Sequence, residues 1–180
     1  MLQPKKRALN IACAIYFTSW LIGLSIAFWW MAWETPIQTG GDNNDPSSFF
    51  IKIFSHPFLN ILSNNLIYGV IIFALAALSY GAIPALSFIY NGFILGTVIK
   101  GAFLSGIPTK LIVLNLLHAP IEIIAFCMLA STGFFLIKHF KEISSEKGFP
   151  LKFFVKILIL SFSCILVAAT IEYASYTIHR

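Results

Sequence analysis

Long apolar runs without charge are the feature that most constrains this chain. The first run extends from Ala8 to Trp33, and no Asp, Glu, Lys or Arg lies from Ile53 to Ile99. A helix needs about 20 apolar residues to cross the hydrocarbon core of a bilayer. Only 11% of the 180 residues are charged, whereas a soluble domain carries about 25%. The sequence therefore predicts an all-α fold, a polytopic membrane bundle in one domain (residues 1–180) that lies in a lipid bilayer.

Turn signals and charges divide the apolar sequence into five predicted spans. Gly81-Ala82-Ile83-Pro84 interrupts the longest run and predicts a tight helical hairpin on its two sides. A short loop around Pro108 and a charged loop from Lys138 to Lys152 mark two further boundaries. The predicted spans cover residues 8–33, 60–80, 84–103, 110–137 and 153–177. The first span is too long for a signal-peptide core of about 7–15 residues, which predicts a signal anchor.

The segment between the first two spans is predicted to be an outer loop, residues 34–59. Its first part is polar and rich in turn residues. Apolar side chains recur at helical spacing in its second part, namely Phe49, Phe50, Ile53, Phe54 and Phe58. This spacing predicts a short helix that lies in the plane of the membrane interface. A plain linker before the second span is the alternative.

The basic residues predict the orientation in the membrane. With the N-terminus in the cytoplasm, the inner side would carry Lys5, Lys6, Arg7, Lys138, Lys141, Lys147, Lys152 and Lys156. The outer side would carry Lys52, Lys100, Lys110 and Arg180. This bias of about two to one follows the positive-inside rule. We therefore expect a multi-pass membrane protein with a cytoplasmic N-terminus and an external C-terminus.

The net charge of +5 does not indicate a nucleic-acid partner, because the basic residues lie between apolar runs and form no patch. The three cysteines, Cys13, Cys127 and Cys164, lie inside apolar runs and lack the spacing of metal ligands. They are interpreted as small membrane hydrophobes.

Glu122 is the residue whose position most needs an explanation, because it lies near the middle of the fourth predicted span. An acidic residue at the centre of a membrane helix costs about 2.5–3.5 kcal/mol on insertion scales. In one continuous helix Asn115, His118 and Glu122 would share a narrow face. Pro120 should kink that helix and leave the Leu116 carbonyl without a partner. Such groups survive at membrane depth only where they face protein or water, so this face should point into the bundle.

Other spans supply partners for a buried polar constellation. The predicted members are Asn64, Asn65, Asn91, Gly92, Gly96, Asn115, His118, Glu122 and Glu172. Gly92 and Gly96 are spaced by four residues, as in membrane helices that approach closely. Among the side chains, Asn64, Asn91, His118, Glu122 and Glu172 should form a polar core when the bundle closes.

The order and spacing of these residues resemble the stage II sporulation protein M family. The resemblance rests on Asn64-Asn65, Gly81, Asn91-Gly92 with Gly96, His118 and Glu122, and Ala169-Thr170-Ile171-Glu172, across roughly residues 55–175. The family typically has Pro-His-Gly, then two residues and Glu. Here the sequence is Leu117-His118-Ala119-Pro120-Ile121-Glu122, so His and Glu are kept and the flanking Pro and Gly are not.

The resemblance implies a polytopic protein of the bacterial plasma membrane without a soluble catalytic domain. Because the loops carry no catalytic motif, we expect a non-enzymatic membrane subunit that acts with partners, without a cofactor or a metal site. One branch would be an accessory protein of an ABC-type ATPase and permease, in bacteriocin export or immunity. The other would be a scaffold of a cell-wall hydrolase complex, as in sporulation engulfment. A homo-oligomer stays open. Two other classes also stay open. One is a self-contained transporter or channel. The other is an intramembrane metalloenzyme in which His118 and Glu122 would bind zinc and Glu172 or an Asn would complete the site.

Overall fold

The computed structural model describes residues 3–30, 57–138 and 151–178, and in these ranges the chain is helical with short turns. Five helical segments are long and apolar enough to cross a membrane. The predicted all-α bundle with five spanning helices is confirmed. The interfacial helix, most of the outer loop 34–59 and most of the charged loop 138–152 lie outside the described residues.

The helices lie close to the predicted spans, but two helices occupy the fourth span where one was predicted. They are α1 (Gln3–Trp30), α2 (Pro57–Leu78), α3 (Ala82–Leu104), α4 (Thr109–Asn115), α5 (Ala119–Lys138) and α6 (Leu151–Ile178). The candidate spans are Arg7–Trp29, Pro57–Leu78, Ala82–Leu104, Thr109–Ile137 and Leu151–Ser175. The fourth candidate span thus contains two helices, α4 and α5.

The break between α4 and α5 replaces the kink that the sequence predicted at Pro120. The chain turns at residues 116–118, and Pro120 becomes the second residue of α5. Proline is tolerated in the first turn of a helix, because the N–H that it lacks would have no helical partner there. The Ala119 N–H donates to the Leu116 carbonyl at 3.1 Å. The prediction of an unpartnered Leu116 carbonyl is therefore wrong.

A three-residue turn, Ser79–Gly81, joins α2 to α3. Gly81 has φ 85°, in the left-handed region that favours glycine. The Ser79 hydroxyl accepts a hydrogen bond from the Ile83 N–H at 3.1 Å, which caps the start of α3. The helices do not form the predicted tight hairpin, because α2 packs mainly on α5 while α3 packs mainly on α1.

Glycine residues explain why α3 packs against α1. Gly23 on α1 and Gly92 and Gly96 on α3 form what we call the glycine seam. A Cβ at Gly23 would overlap the Ile89 carbonyl, and a Cβ at Gly92 would overlap the Trp20 carbonyl. The two backbones therefore meet directly, as small residues allow in membrane helix pairs. The Lys100 ammonium also donates to the Phe28 carbonyl at 2.7 Å, near the C-terminal end of α1.

The remaining long helices, α2, α5 and α6, form a three-helix core. Its centre is apolar and includes Ile72, Phe126, Leu129 and Ile165. Gly133 brings the backbone of α5 against the Phe73 carbonyl of α2. Helix α1 joins this core to α3, because its Ala12 and Tyr16 belong to the same buried cluster. The protein thus consists of an α1–α3 pair packed through α1 on the three-helix core.

Candidate functional site

Three ionisable side chains lie close together at the turn between α4 and α5. The His118 Nε2 lies 4.0 Å from Glu122 Oε2 and 3.9 Å from Glu172 Oε2. We call His118, Glu122 and Glu172 the polar cluster. Because Glu172 belongs to α6, the imidazole joins a carboxylate of its own span to one from another span.

The helix break positions two members of the polar cluster. His118 is the last residue of the turn, and its carbonyl accepts hydrogen bonds from the N–H groups of Ile121 and Glu122, both at 3.1 Å. Glu122 thereby lies in the first turn of α5. The N-terminal end of a helix carries a partial positive charge that stabilises a nearby carboxylate. The break at residues 116–118 therefore gives Glu122 an electrostatic support that a continuous helix would lack.

The polar cluster is largely enclosed but open on the α6 side. The side chains of His118 and Glu122 are 17% and 19% exposed, whereas that of Glu172 is 35% exposed. The His118 Nδ1 atom is buried and has no hydrogen-bond partner. The imidazole therefore meets both acids through Nε2, at distances that suit ion pairing and are too long for a direct hydrogen bond.

The polar cluster lies nearer the end of the bundle than the sequence indicated. Glu172 is six residues before the end of α6, which corresponds to about 9 Å along the helix axis. Phe58, near the start of α2, contacts the ring of Tyr173 with centroids 5.7 Å apart. The predicted mid-span position of Glu122 assumed a continuous fourth helix, whereas α4 takes up the first part of that span.

Asn91 belongs to a second polar group, between α2 and α3. Its Nδ2 donates to the Tyr68 hydroxyl at 3.0 Å. Tyr68 also packs edge-on against Phe126, one turn after Glu122 on α5, with ring centroids 4.8 Å apart. A groove of about 400 Å³ opens where α2 and α3 diverge. The groove is lined by Tyr68, Leu86, Ser87, Tyr90 and Asn91, and its surface is mainly apolar. We call it the polar groove after the side-chain polar groups of Tyr68, Ser87 and Asn91.

The other predicted members do not join the polar cluster. Asn64 is exposed and its amide contacts Asn60 at 3.4 Å. The Asn65 Nδ2 is buried without a hydrogen-bond partner. Asn115 is exposed at the end of α4, so it does not share a helix face with His118. Gly92 and Gly96 lie in the glycine seam.

Sequence reasoning missed Tyr68 as a polar partner. It lies one turn after Asn64 on α2, and a tyrosine in a membrane helix was not singled out because its ring is also an ordinary apolar contact. The signal that points to it is its helical spacing from Asn64, since polar groups one turn apart lie on one side of a helix.

The geometry does not favour the zinc-enzyme alternative. Among the residues that the structure describes, no group of three or more His, Cys, Asp or Glu side chains is arranged to hold a metal ion. The chemistry that the polar cluster can perform with its own groups is proton exchange and charge pairing across helices.

Residues 14–174 match the family model described as stage II sporulation protein M. An uncharacterized protein of Methanocaldococcus jannaschii is 33% identical over 141 residues, which cover 72% of this chain and 76% of the relative. No solved structure matches the chain.

Proposed function

The chain belongs to the stage II sporulation protein M family, and we propose that it is a non-enzymatic membrane subunit that works in a complex with other membrane proteins. Its five apolar helices make it a multi-pass membrane protein. The observation that carries the proposal is the polar cluster, in which His118 joins acids of two different spans and one acid remains partly open. Polar groups at membrane depth are usually covered by protein or by enclosed water.

The polar groove supports the same proposal from a second place in the fold. Ser87 and Asn91 line an opening between two helices that are apolar enough to span a membrane. Lipid chains offer such groups no hydrogen bonds, whereas a neighbouring membrane helix does.

Two kinds of complex are compatible with this role. In one, the chain is an accessory to an ABC-type ATPase and permease for export or immunity. In the other, it is a scaffold for cell-wall hydrolases in a cell-envelope complex. The test is to isolate the tagged chain from its native membrane in mild detergent and to identify stoichiometric partners by mass spectrometry. An ATPase subunit would assign the first role and a hydrolase the second. Recovery of the chain without any stoichiometric partner would contradict the proposal.

A self-contained transporter or channel is the second candidate, and the broken fourth span favours it. Discontinuous helices with a polar site at the break recur in secondary transporters. Here the break at residues 116–118 directly precedes Glu122. Vesicles that contain only this protein separate the two candidates: solute or ion flux that Glu122→Gln abolishes would favour the transporter.

We also propose the plasma membrane as the location, with the N-terminus inside. Impermeant thiol labelling of intact cells tests this orientation with Asn43→Cys and Ser145→Cys in a background without native cysteines. Asn43→Cys should be labelled and Ser145→Cys protected, because the basic residues favour a cytoplasmic location for the charged loop 138–152. Labelling of Ser145→Cys with protection of Asn43→Cys would reverse the topology.

A further inference from the structure

The polar cluster contains more acid than base. Glu122 and Glu172 are two acids, whereas His118 is one base, and the ion-pair contacts of both carboxylates among the described residues are with His118. On the facing helix α2, the nearest titratable group is the Tyr68 hydroxyl, which is already hydrogen-bonded to Asn91. With all three cluster members ionised, the cluster retains one negative charge. A charge at membrane depth is costly unless an opposite charge pairs with it.

The opening at Glu172 is a gap in an otherwise buried face of α6. The residues one turn away on that face, Ala168, Ala169 and Ser175, are all buried. Glu172 shares their face but is 35% exposed, on the side of the α4–α5 turn. A group that enters from outside the chain can therefore reach the Glu172 carboxylate without displacing the core.

The described basic residues at this end of the bundle do not fill the gap. The Lys100 ammonium is hydrogen-bonded to the Phe28 carbonyl at 2.7 Å. Lys110 lies in the first turn of α4 and is exposed.

We propose that the polar cluster receives a Lys or Arg side chain from a membrane-spanning helix of a partner protein. The inference rests on the proposed role as a subunit of a membrane complex. Long basic side chains suit this site, because their apolar stems cross several ångströms of hydrocarbon while the charged end reaches a polar group. The position about 9 Å from the end of α6 is within the depth at which such side chains occur near membrane surfaces.

The proposal can be tested with synthetic membrane-spanning peptides. The full chain is placed in lipid nanodiscs with labelled Leu/Ala helices that carry Lys, Leu or Glu one to two turns from the end. Association is measured by energy transfer. The Lys peptide should associate about tenfold more tightly than the Leu peptide, and the Glu peptide should be the weakest. Moving the Lys to the opposite end of the peptide should remove the preference.

The double variant Glu122→Gln/Glu172→Gln should bind Lys and Leu peptides equally, because the amides keep the shape and lose the charge. Thr170→Ala is the matched control on α6, since the exposed Thr170 hydroxyl bonds only to its own helix, at Leu166. A Lys preference that survives in the double variant would overturn the proposal, as would equal binding of Lys and Leu peptides by the native chain.

Stabilisation of the native chain by added Zn²⁺, Mg²⁺ or Ca²⁺ without a Lys preference would assign the cluster to a metal ion and would also overturn the proposal. Equal binding of both peptides would leave the role as a complex subunit intact. The role as a complex subunit has its own test: it would be contradicted if the chain were isolated from its native membrane without partners.

Discussion

The glycine seam and the polar cluster are two helix contacts of one small bundle, and they differ in what lies between the helices. In the seam, Gly92 lets the backbones of α1 and α3 touch, so no side chain separates them. In the cluster, His118 of the α4–α5 turn lies about 4 Å from the carboxylates of Glu122 on α5 and Glu172 on α6, and part of the space is open. We propose that the closed contact serves the fold, whereas the open contact, with two acids to one base, serves assembly with a partner.

Gly92→Ala, in the seam, should reduce stability more than the substitutions at the turn, the polar cluster and the groove. The added methyl would overlap the Trp20 carbonyl, so α1 and α3 must separate. We expect a loss of about 3 kcal/mol in the free energy of unfolding, at the upper end for an overpacked core. The measurement is membrane abundance together with thermal unfolding in nanodiscs.

Gly101→Ala is the control for this prediction. It lies on the same helix, and a Cβ there would meet nothing within 4 Å. Alanine should stabilise α3 at this position by up to about 1 kcal/mol. Equal tolerance of the two substitutions would show that the seam does not hold α1 against α3.

The turn that directs α3 away from α2 should be the next most sensitive position. Gly81→Ala introduces strain of about 1–2 kcal/mol at a positive φ and also overlaps the Tyr16 hydroxyl. Gly106 also has a positive φ, 74°, but a Cβ there would meet nothing within 4 Å. Gly106→Ala should therefore lose only the stability that the backbone strain costs. Thermal unfolding of both variants, and of Gly81→Ala/Tyr16→Phe, separates the two effects. If Tyr16→Phe does not restore Gly81→Ala to the level of Gly106→Ala, the overlap is not the cause.

In the polar cluster, Glu122→Leu should reduce stability by about 1–2 kcal/mol, because His118 loses one of its two acid partners while it remains largely enclosed. Glu122→Gln should cost less, since the amide keeps the shape and a hydrogen-bonding oxygen. Urea or thermal unfolding compares the two. A Leu variant as stable as the native chain would mean that the enclosed carboxylate contributes nothing to helix packing.

The smallest effect is expected at the polar groove. Tyr68→Phe removes the hydroxyl that accepts from Asn91, and hydrogen bonds between membrane helices average about 0.6 kcal/mol. Tyr90→Phe is the control, because Tyr90 lines the same groove and its side chain is exposed. A larger loss for Tyr90→Phe than for Tyr68→Phe would show that another contact holds α2 to α3.

The sequence predicted the helices because length and hydropathy are local properties. It did not predict which helices pack together. Gly81 marked the α2–α3 turn. The packing of α3 on α1 depends on Gly23, however, and Gly23 is far from its contact Ile89 in the sequence. Pro120 was interpreted as a kink because sequence alone cannot distinguish a proline inside a helix from one in the first turn of a new helix.

The candidate site was predictable in part for the same reason. His118 and Glu122 are one turn apart in sequence, and Glu172 is brought to them by the packing of α6. Asn115 was predicted on the same face, and the helix break removes it from that face. Asn91 was expected in the same polar core, but it donates a hydrogen bond to the Tyr68 hydroxyl of α2 instead.

The most direct test of the account compares Glu122→Gln/Glu172→Gln with Gly92→Ala in native membranes. For each variant, membrane abundance and the yield of the native complex are measured together. The account predicts that the double variant accumulates like the native chain but loses the complex, whereas Gly92→Ala loses both. Two results would contradict the claim that the seam serves the fold and the cluster serves assembly. In one, the double variant still forms the full complex. In the other, its membrane abundance falls together with the yield of the complex, as for Gly92→Ala.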